Sequence, residues 1–100
     1  MREDRQRLDK WLWFARFAKT RTLAAKLVAS GFVRVDGQRT DNPAKAIAVG
    51  DVITIALAHA TLILRVEALG TRRGPAAEAR QLYADLNGDT GALVSGDDRG

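Results

Sequence analysis

The spacing of apolar residues changes once along the chain, at Gly31. Before it, Leu8, Trp11 and Leu12 recur three and four positions apart, the spacing that lines one face of an α-helix. After it, apolar and polar residues alternate, as they do in half-buried β-strands. Because 100 residues suffice for one hydrophobic core, the pattern predicts an α+β domain, with two N-terminal helices packed on a small antiparallel sheet.

Two helices are predicted over residues 7–18 and 21–30. Thr20 is suited to begin the second, because its hydroxyl can accept a hydrogen bond from a free backbone N–H of the first turn. Trp13 and Phe14 lie on the charged side of the first helix, so their rings either pack against a second element or meet a ligand. The side chains expected in the core are Leu8, Trp11, Leu12, Leu23, Leu27 and Val33.

The dipeptide Asp36-Gly37 predicts a β-hairpin over residues 32–40, because Asp-Gly is a preferred sequence of the type I′ turn. Two further apolar runs, residues 52–57 and 61–69, are separated by a short turn and predict two more strands. Together these strands account for the antiparallel sheet.

Composition divides the chain into three segments. Residues 5–70 contain the predicted helices and strands and form the main domain. Residues 71–86 form a basic link and a short C-terminal helix that begins near Pro75, a residue common in the first turn of helices. Residues 87–100 are rich in Gly and Asp and offer little to bury, so we predict a disordered acidic tail.

Positive charge is concentrated in the first half of the chain. Residues 1–50 carry eleven Lys and Arg against five Asp and Glu, whereas residues 51–100 carry five against seven. Such a concentration favours a polyanionic partner, of which nucleic acid is the commonest. A basic surface kept only for solubility is the alternative interpretation.

Eight basic residues lie on the two predicted helices, the turn between them and the hairpin, and we expect them to converge on one face. An arginine grips phosphate through a planar fork of donors, whereas a lysine provides a mobile point charge, so a mixture suits a phosphate backbone. The eight residues are Arg7, Lys10, Arg16, Lys19, Arg21, Lys26, Arg34 and Arg39.

The composition argues against an enzyme. The chain has no cysteine and a single histidine, His59, which leaves little for nucleophilic catalysis or for a metal site. We therefore expect no catalytic residue, no cofactor and no metal. No apolar run approaches the roughly 20 residues that would span a bilayer, and the charged N-terminus is unlike a secretory signal, so the expected location is the cytoplasm.

Five stretches carry a family resemblance. They are "RLDKWL", the "TR" that opens the second helix, "LVASGFVRVDGQ", "VGDVITI" and "RRGPAAEARQLY". In this combination the chain resembles the α-L RNA-binding motif, the domain shared with ribosomal protein S-four, and within it the ribosome-associated heat-shock protein fifteen group. The resemblance covers about residues 5–86.

The resemblance implies that residues 5–70 are an RNA-binding domain. The implied partner is structured RNA of the large ribosomal subunit, together with peptidyl-tRNA, and the implied role is rescue of stalled or aborted translation under heat stress. It adds Gln38 to the eight basic residues as an RNA contact, and a monomer is expected. One alternative is a detached RNA-guiding domain that acts with an RNA-modifying enzyme such as a pseudouridine synthase; another is a DNA-binding or protein-interaction domain.

Overall fold

The computed structural model describes residues 4–86, which form three helices and seven short strands. The helices are α1 (Leu8–Phe14), α2 (Arg21–Ala29) and α3 (Ala76–Ala79), and the strands are β1 (Gln6–Arg7), β2 (Val33–Val35), β3 (Gln38–Thr40), β4 (Ala46–Ile47), β5 (Val52–Ala56), β6 (Thr61–Val66) and β7 (Tyr83–Asp85). The predicted α+β class, with two helices on an antiparallel sheet, is confirmed. The predicted tail lies outside the described residues.

Five strands form one antiparallel sheet in the order β3-β2-β5-β6-β7, and β1 pairs separately with β4. The predicted hairpin is confirmed, since Val35 pairs with Gln38 across the turn. Asp36 and Gly37 both have positive φ, 52° and 84°, as a type I′ turn requires. The hairpin brings the Arg34 and Arg39 positions directly opposite each other.

The core lies between α1, α2 and one face of the five-stranded sheet. Trp11 is its largest fully buried side chain. The sheet contributes alternate residues of each central strand, such as Ile53 and Ile55 of β5, because successive side chains of a strand point to opposite faces. Of the predicted core residues, the fully buried ones are Leu8, Trp11, Leu12 and Val33, and Leu27 is partly buried against them.

The prediction that Leu23 belongs to the core is wrong, because 48% of its surface is exposed. Helix α2 buries only Ala24 and Val28 completely. Each residue advances about 100° around a helix axis, so Leu23 lies about 100° from Ala24 and about 140° from Val28. Its side chain therefore points away from the side of α2 that faces the core and is exposed to solvent.

The first helix is shorter than predicted and ends at Phe14. The N–H of Arg16 donates to the carbonyl of Trp13 at 3.1 Å, and that of Phe17 donates to Leu12 at 3.0 Å. This pair of bonds is a Schellman end, which needs a left-handed residue, and Arg16 supplies it with φ 68°. The cost for a non-glycine residue, about 1–2 kcal/mol, is offset by packing, because the turn places the Phe17 ring 4.8 Å from that of Tyr83.

Three strands were not predicted, namely β1, β4 and β7. Two of them have only two residues each, too few to show a period. The third follows the predicted C-terminal helix, which forms as four residues and a short 3-10 turn, and pairs with the end of β6. Residues 71–86 therefore extend the same sheet, and the predicted strand over 61–69 ends at Val66.

Candidate nucleic-acid interface

A buried carboxylate, Asp9, holds two of the predicted RNA-binding arginines. Arg7 lies in β1 at the start of α1 and donates from Nε and Nη2 to the two carboxylate oxygens, both at 3.0 Å. Arg21, the first residue of α2, places Nη2 3.8 Å from Oδ1 of the same group. The side chain of Asp9 is 4% exposed, whereas those of Arg7 and Arg21 are 50% and 43% exposed. One anion thus orients two cations that face solvent.

The hydrogen bonds and the negative charge of Asp9 raise the pKa of Arg7 above its usual value. The loop before β4 fixes the site from the other side, because the N–H of Asp9 donates to the carbonyl of Pro43 at 3.1 Å and that of Leu8 donates to Lys45 at 2.9 Å. An acidic residue in the first turn also interacts favourably with the helix dipole. That preference is the sequence signal by which Asp9 could have been recognised as a member of the site.

The sequence left open whether the ring of Phe14 packs within the fold or meets a ligand. The structure shows that this ring is buried and packs within the fold. The ring stacks on that of Trp13 with centroids 5.3 Å apart, and a Cβ on Gly70 would lie only 2.5 Å from its Cδ2. The ammonium of Lys10 lies 5.6 Å from the centroid of the Phe14 ring, within the range of a cation–π contact. Trp13 is only partly buried, so one of its surfaces faces solvent.

The loop between α1 and α2 is tied to the segment after β6 by arginines. Arg16 donates from Nη1 to the carbonyl of Gly74 at 2.8 Å, and Nη2 of Arg73 lies 3.5 Å from the carbonyl of Ala18. Lys19 is exposed in this loop. Thr20 accepts from the N–H of Leu23 at 3.0 Å, so the predicted N-cap of the second helix is confirmed.

The hairpin does not place its polar residues on a single face. Gln38 pairs with the buried Val35, so it lies on the side of the sheet that faces the core. Arg34 and Arg39 pair with each other on the opposite side, because neighbouring positions of a strand alternate. Lys26 is exposed on α2. The structure thus brings Arg7 and Arg21 together at Asp9, and Arg34 and Arg39 together on the outer face of the hairpin.

Two arginines of the second half are paired with acids. Arg65 is bonded to Glu67 at 2.7 Å, and Arg72 to Glu78 at 2.6 Å. Within residues 4–86, by contrast, neither Arg34 nor Arg39 takes part in an ion pair. The hairpin therefore carries two positive charges without an acidic partner among the described residues. In the same part of the chain, no three acidic or histidine side chains are grouped as metal ligands would be, and no helix is long and apolar enough to cross a membrane.

Known proteins are similar to this chain in sequence and in fold. The family model of the S4 domain matches residues 6–53. Heat shock protein 15 of Escherichia coli strain K12 is 40% identical over 79 residues, which are 79% of this chain and 59% of the relative. Small ribosomal subunit protein uS4 of Xanthobacter autotrophicus is 38% identical over 72 residues, 70% of this chain and 35% of the relative. The structure of Vibrio cholerae Heat Shock Protein 15, described as trimeric, matches with a TM-score of 0.77, 42% identity and 83% of each chain covered.

The matched segment and the fold define a protein of the S4 domain class. Within that class the chain belongs to the Heat shock protein 15 group, as the resemblance of its motifs indicated. The matched segment spans 59% of the length of the curated Escherichia coli relative.

Proposed function

We propose that this chain is a non-catalytic protein that binds structured ribosomal RNA through its helices and hairpin. The observation that supports this most directly is the pair of arginines at Asp9. The carboxylate offsets one of the two positive charges, accepts two hydrogen bonds from Arg7 and lies 3.8 Å from Arg21, while about half of each arginine side chain is exposed. The donors that remain free on two neighbouring guanidinium groups can bind phosphate oxygens.

The remaining contacts proposed are polar side chains of the helices, their connecting loop and the hairpin. They are Lys10, Arg16, Lys19, Lys26, Arg34, Gln38 and Arg39. Phosphate contacts of this kind position a protein on RNA without reading its sequence. Double-stranded RNA hides its base edges in a deep, narrow major groove, so we infer recognition through shape and backbone.

We further infer that the RNA belongs to the large ribosomal subunit, with peptidyl-tRNA present, and that the protein acts in rescue of stalled translation under heat stress. The names of the relatives support the links to heat stress and to the ribosome, since they are a heat shock protein and a protein of the small ribosomal subunit. The choice of the large subunit and of peptidyl-tRNA comes from the resemblance of the motifs alone. The proposal places the chain in the cytoplasm as a monomer with no cofactor. The trimer is described for the Vibrio cholerae protein, and sedimentation equilibrium would decide the state of this chain.

The experiment that tests RNA binding compares Asp9→Asn with Glu67→Gln. Each variant removes one carboxylate bonded to an arginine, so each raises the net charge by one. If Asp9 orients Arg7 and Arg21 for phosphates, Asp9→Asn weakens binding to ribosomal RNA fragments in spite of its added positive charge. Glu67→Gln leaves binding unchanged or slightly tighter. Equal behaviour of the two folded variants would mean that total charge alone matters.

A second experiment tests the ribosomal assignment. The purified chain is sedimented with isolated large subunits, with isolated small subunits, and with duplex DNA as competitor. Co-sedimentation with large subunits that survives the competitor supports the proposal. Preference for small subunits or for DNA would overturn it.

A further inference from the structure

An apolar groove opens at the end of α2, beside the outer face of the hairpin. Its volume is about 380 Å³, and its lining, which we call the Phe32 groove, consists of Leu27, Phe32, Ala56, Leu57 and Ala58. Half of the surface of Phe32 is exposed, as is 46% of Leu57. When another flat apolar surface covers an exposed aromatic ring, apolar area is removed from water, which is favourable in free energy.

The chain holds Phe32 in this place through the end of α2. Gly31 has a φ of 82°, and its N–H donates to the carbonyl of Val28 at 2.9 Å. The N–H of Phe32 donates to the carbonyl of Leu27 at 3.5 Å. Helix ends of this type bring the residue after the glycine against the side chain five positions before it, here Leu27. The carbonyl of Phe32 accepts from Ala56 at 2.8 Å. The ring is thus held between the helix and β5, with one side free.

Positive charge borders the same groove. A Cβ on Gly31 would lie 3.0 Å from both Nε and Nη2 of Arg39, so that guanidinium rests against the residue next to Phe32. Arg39 is also directly opposite Arg34. Nη1 of Arg34 lies 3.5 Å from the carbonyl of Gly37 at the turn of the hairpin, whereas the guanidinium of Arg39 lies against Gly31. Within residues 4–86 neither arginine has an acidic partner. The lining of the groove therefore includes an exposed aromatic ring, and a guanidinium group lies next to the residue that precedes that ring.

We propose that the Phe32 groove binds an unpaired base of the bound RNA, with Phe32 stacking on the base and Arg39 contacting the adjacent phosphate. This inference rests on the RNA-binding function proposed above and assigns it a second, single-stranded element. Aromatic rings stack on any base, and neighbouring cations hold the backbone, which is the general design of single-strand binding surfaces.

The same features disfavour a second copy of this chain as the occupant. A stable protein interface buries about 800 Å² on each partner, with roughly 20–30 residues a side, whereas this groove is lined by five residues. A second copy of the chain, with its net charge of +4, would also meet the positive charge of Arg39. A polyanion meets no such repulsion.

The test uses two RNA probes, a short hairpin alone and the same hairpin with a few unpaired nucleotides that include a fluorescent adenine analogue quenched by stacking. The wild-type chain should bind the tailed hairpin more tightly and quench the analogue. Phe32→Leu should reduce the tail's advantage by about 5- to 150-fold, while Phe32→Tyr, which keeps a ring, should retain it. Val49→Ala, a change at another exposed apolar residue, should have no effect.

The outcomes separate this inference from the RNA-binding proposal. If the plain hairpin binds but the tail adds neither affinity nor quenching, the groove proposal is wrong and the basic surface stands. If neither probe binds, RNA binding itself is wrong. As a control for folding, Phe32→Leu must unfold at the same temperature as the wild-type chain when the melt is followed by circular dichroism. Self-association of the wild-type chain without RNA that Phe32→Leu abolishes, seen by sedimentation equilibrium, would assign the groove to a second copy and overturn the proposal.

Discussion

Trp11 and Ala68 are joined by a hydrogen bond of 3.0 Å from the indole N–H to the backbone carbonyl. Trp11 is fully buried on α1, and Ala68 follows β6, 57 residues later in the chain. A buried indole N–H without an acceptor would cost free energy, so the bond allows the largest core side chain to join the first helix to the sheet. The helix that begins at the arginine site is thereby held in place.

Replacing Trp11 with Ala should therefore lower the free energy of unfolding by about 3–5 kcal/mol, the usual cost of truncating a buried aromatic residue. Trp13→Ala should cost less, because that side chain is only partly buried. Chemical denaturation of the two variants compares them directly. Equal losses would contradict the division of α1 into a core face and an outer face.

Gly70 has no room for a side chain. A Cβ there would lie 2.5–2.9 Å from atoms of Phe14, and both backbone polar groups of Gly70 are bonded to the Gln6 side chain, at 3.0 Å and 2.8 Å. Gly70→Ala should therefore destabilise the protein by about 1–3 kcal/mol and alter the near-ultraviolet circular dichroism of the stacked aromatic rings. Gly37→Ala serves as control: the space there is open, and its φ of 84° strains an alanine in the turn, so it should also lower stability but leave that spectrum unchanged.

Stability should show a small acid-dependent contribution from Glu78. Hydrogen bonds from Arg72 hold the pKa of Glu78 below its usual value of 4.5. Because the folded-state pKa is the lower one, the contribution is present above the unfolded value and disappears as the pH falls through the folded value. Urea midpoints of wild type and Glu78→Gln should differ slightly at neutral pH, since solvent screens the pair, and converge in acid. A gap that widens in acid would refute this sign.

Arg21→Ala should weaken binding to structured RNAs of different sequence by similar factors. It should also make the plot of log affinity against log salt shallower by about one, because each phosphate contact releases condensed counterions. Arg65→Ala is the matched control, since Arg65 is bonded to Glu67. Binding isotherms at several salt concentrations measure both. If affinity and slope persist after loss of Arg16, Lys19 and Arg21 together, the basic half is only a solubilising surface.

Local chemistry was sufficient to predict the parts of the fold in which a short stretch determines its own conformation. The helix-spaced apolar residues predicted two helices, the hydroxyl of Thr20 predicted the start of the second, and Asp36-Gly37 predicted the hairpin turn. The motifs predicted the family. The assignment of individual RNA contacts stays a prediction.

The sequence by itself therefore determined the order of α1, α2, β2, β3, β5 and β6, the burial of Leu8, Trp11 and Leu12, and the turn between β2 and β3. Only the tertiary structure decided that α1 stops at Phe14, that Leu23 is exposed, and that Asp9 binds both Arg7 and Arg21. The physical reason is the range of the interactions. Periodicity and turn preference depend on a few adjacent residues, whereas a left-handed helix end or a shared carboxylate is stable only when distant segments of the chain pack beside it.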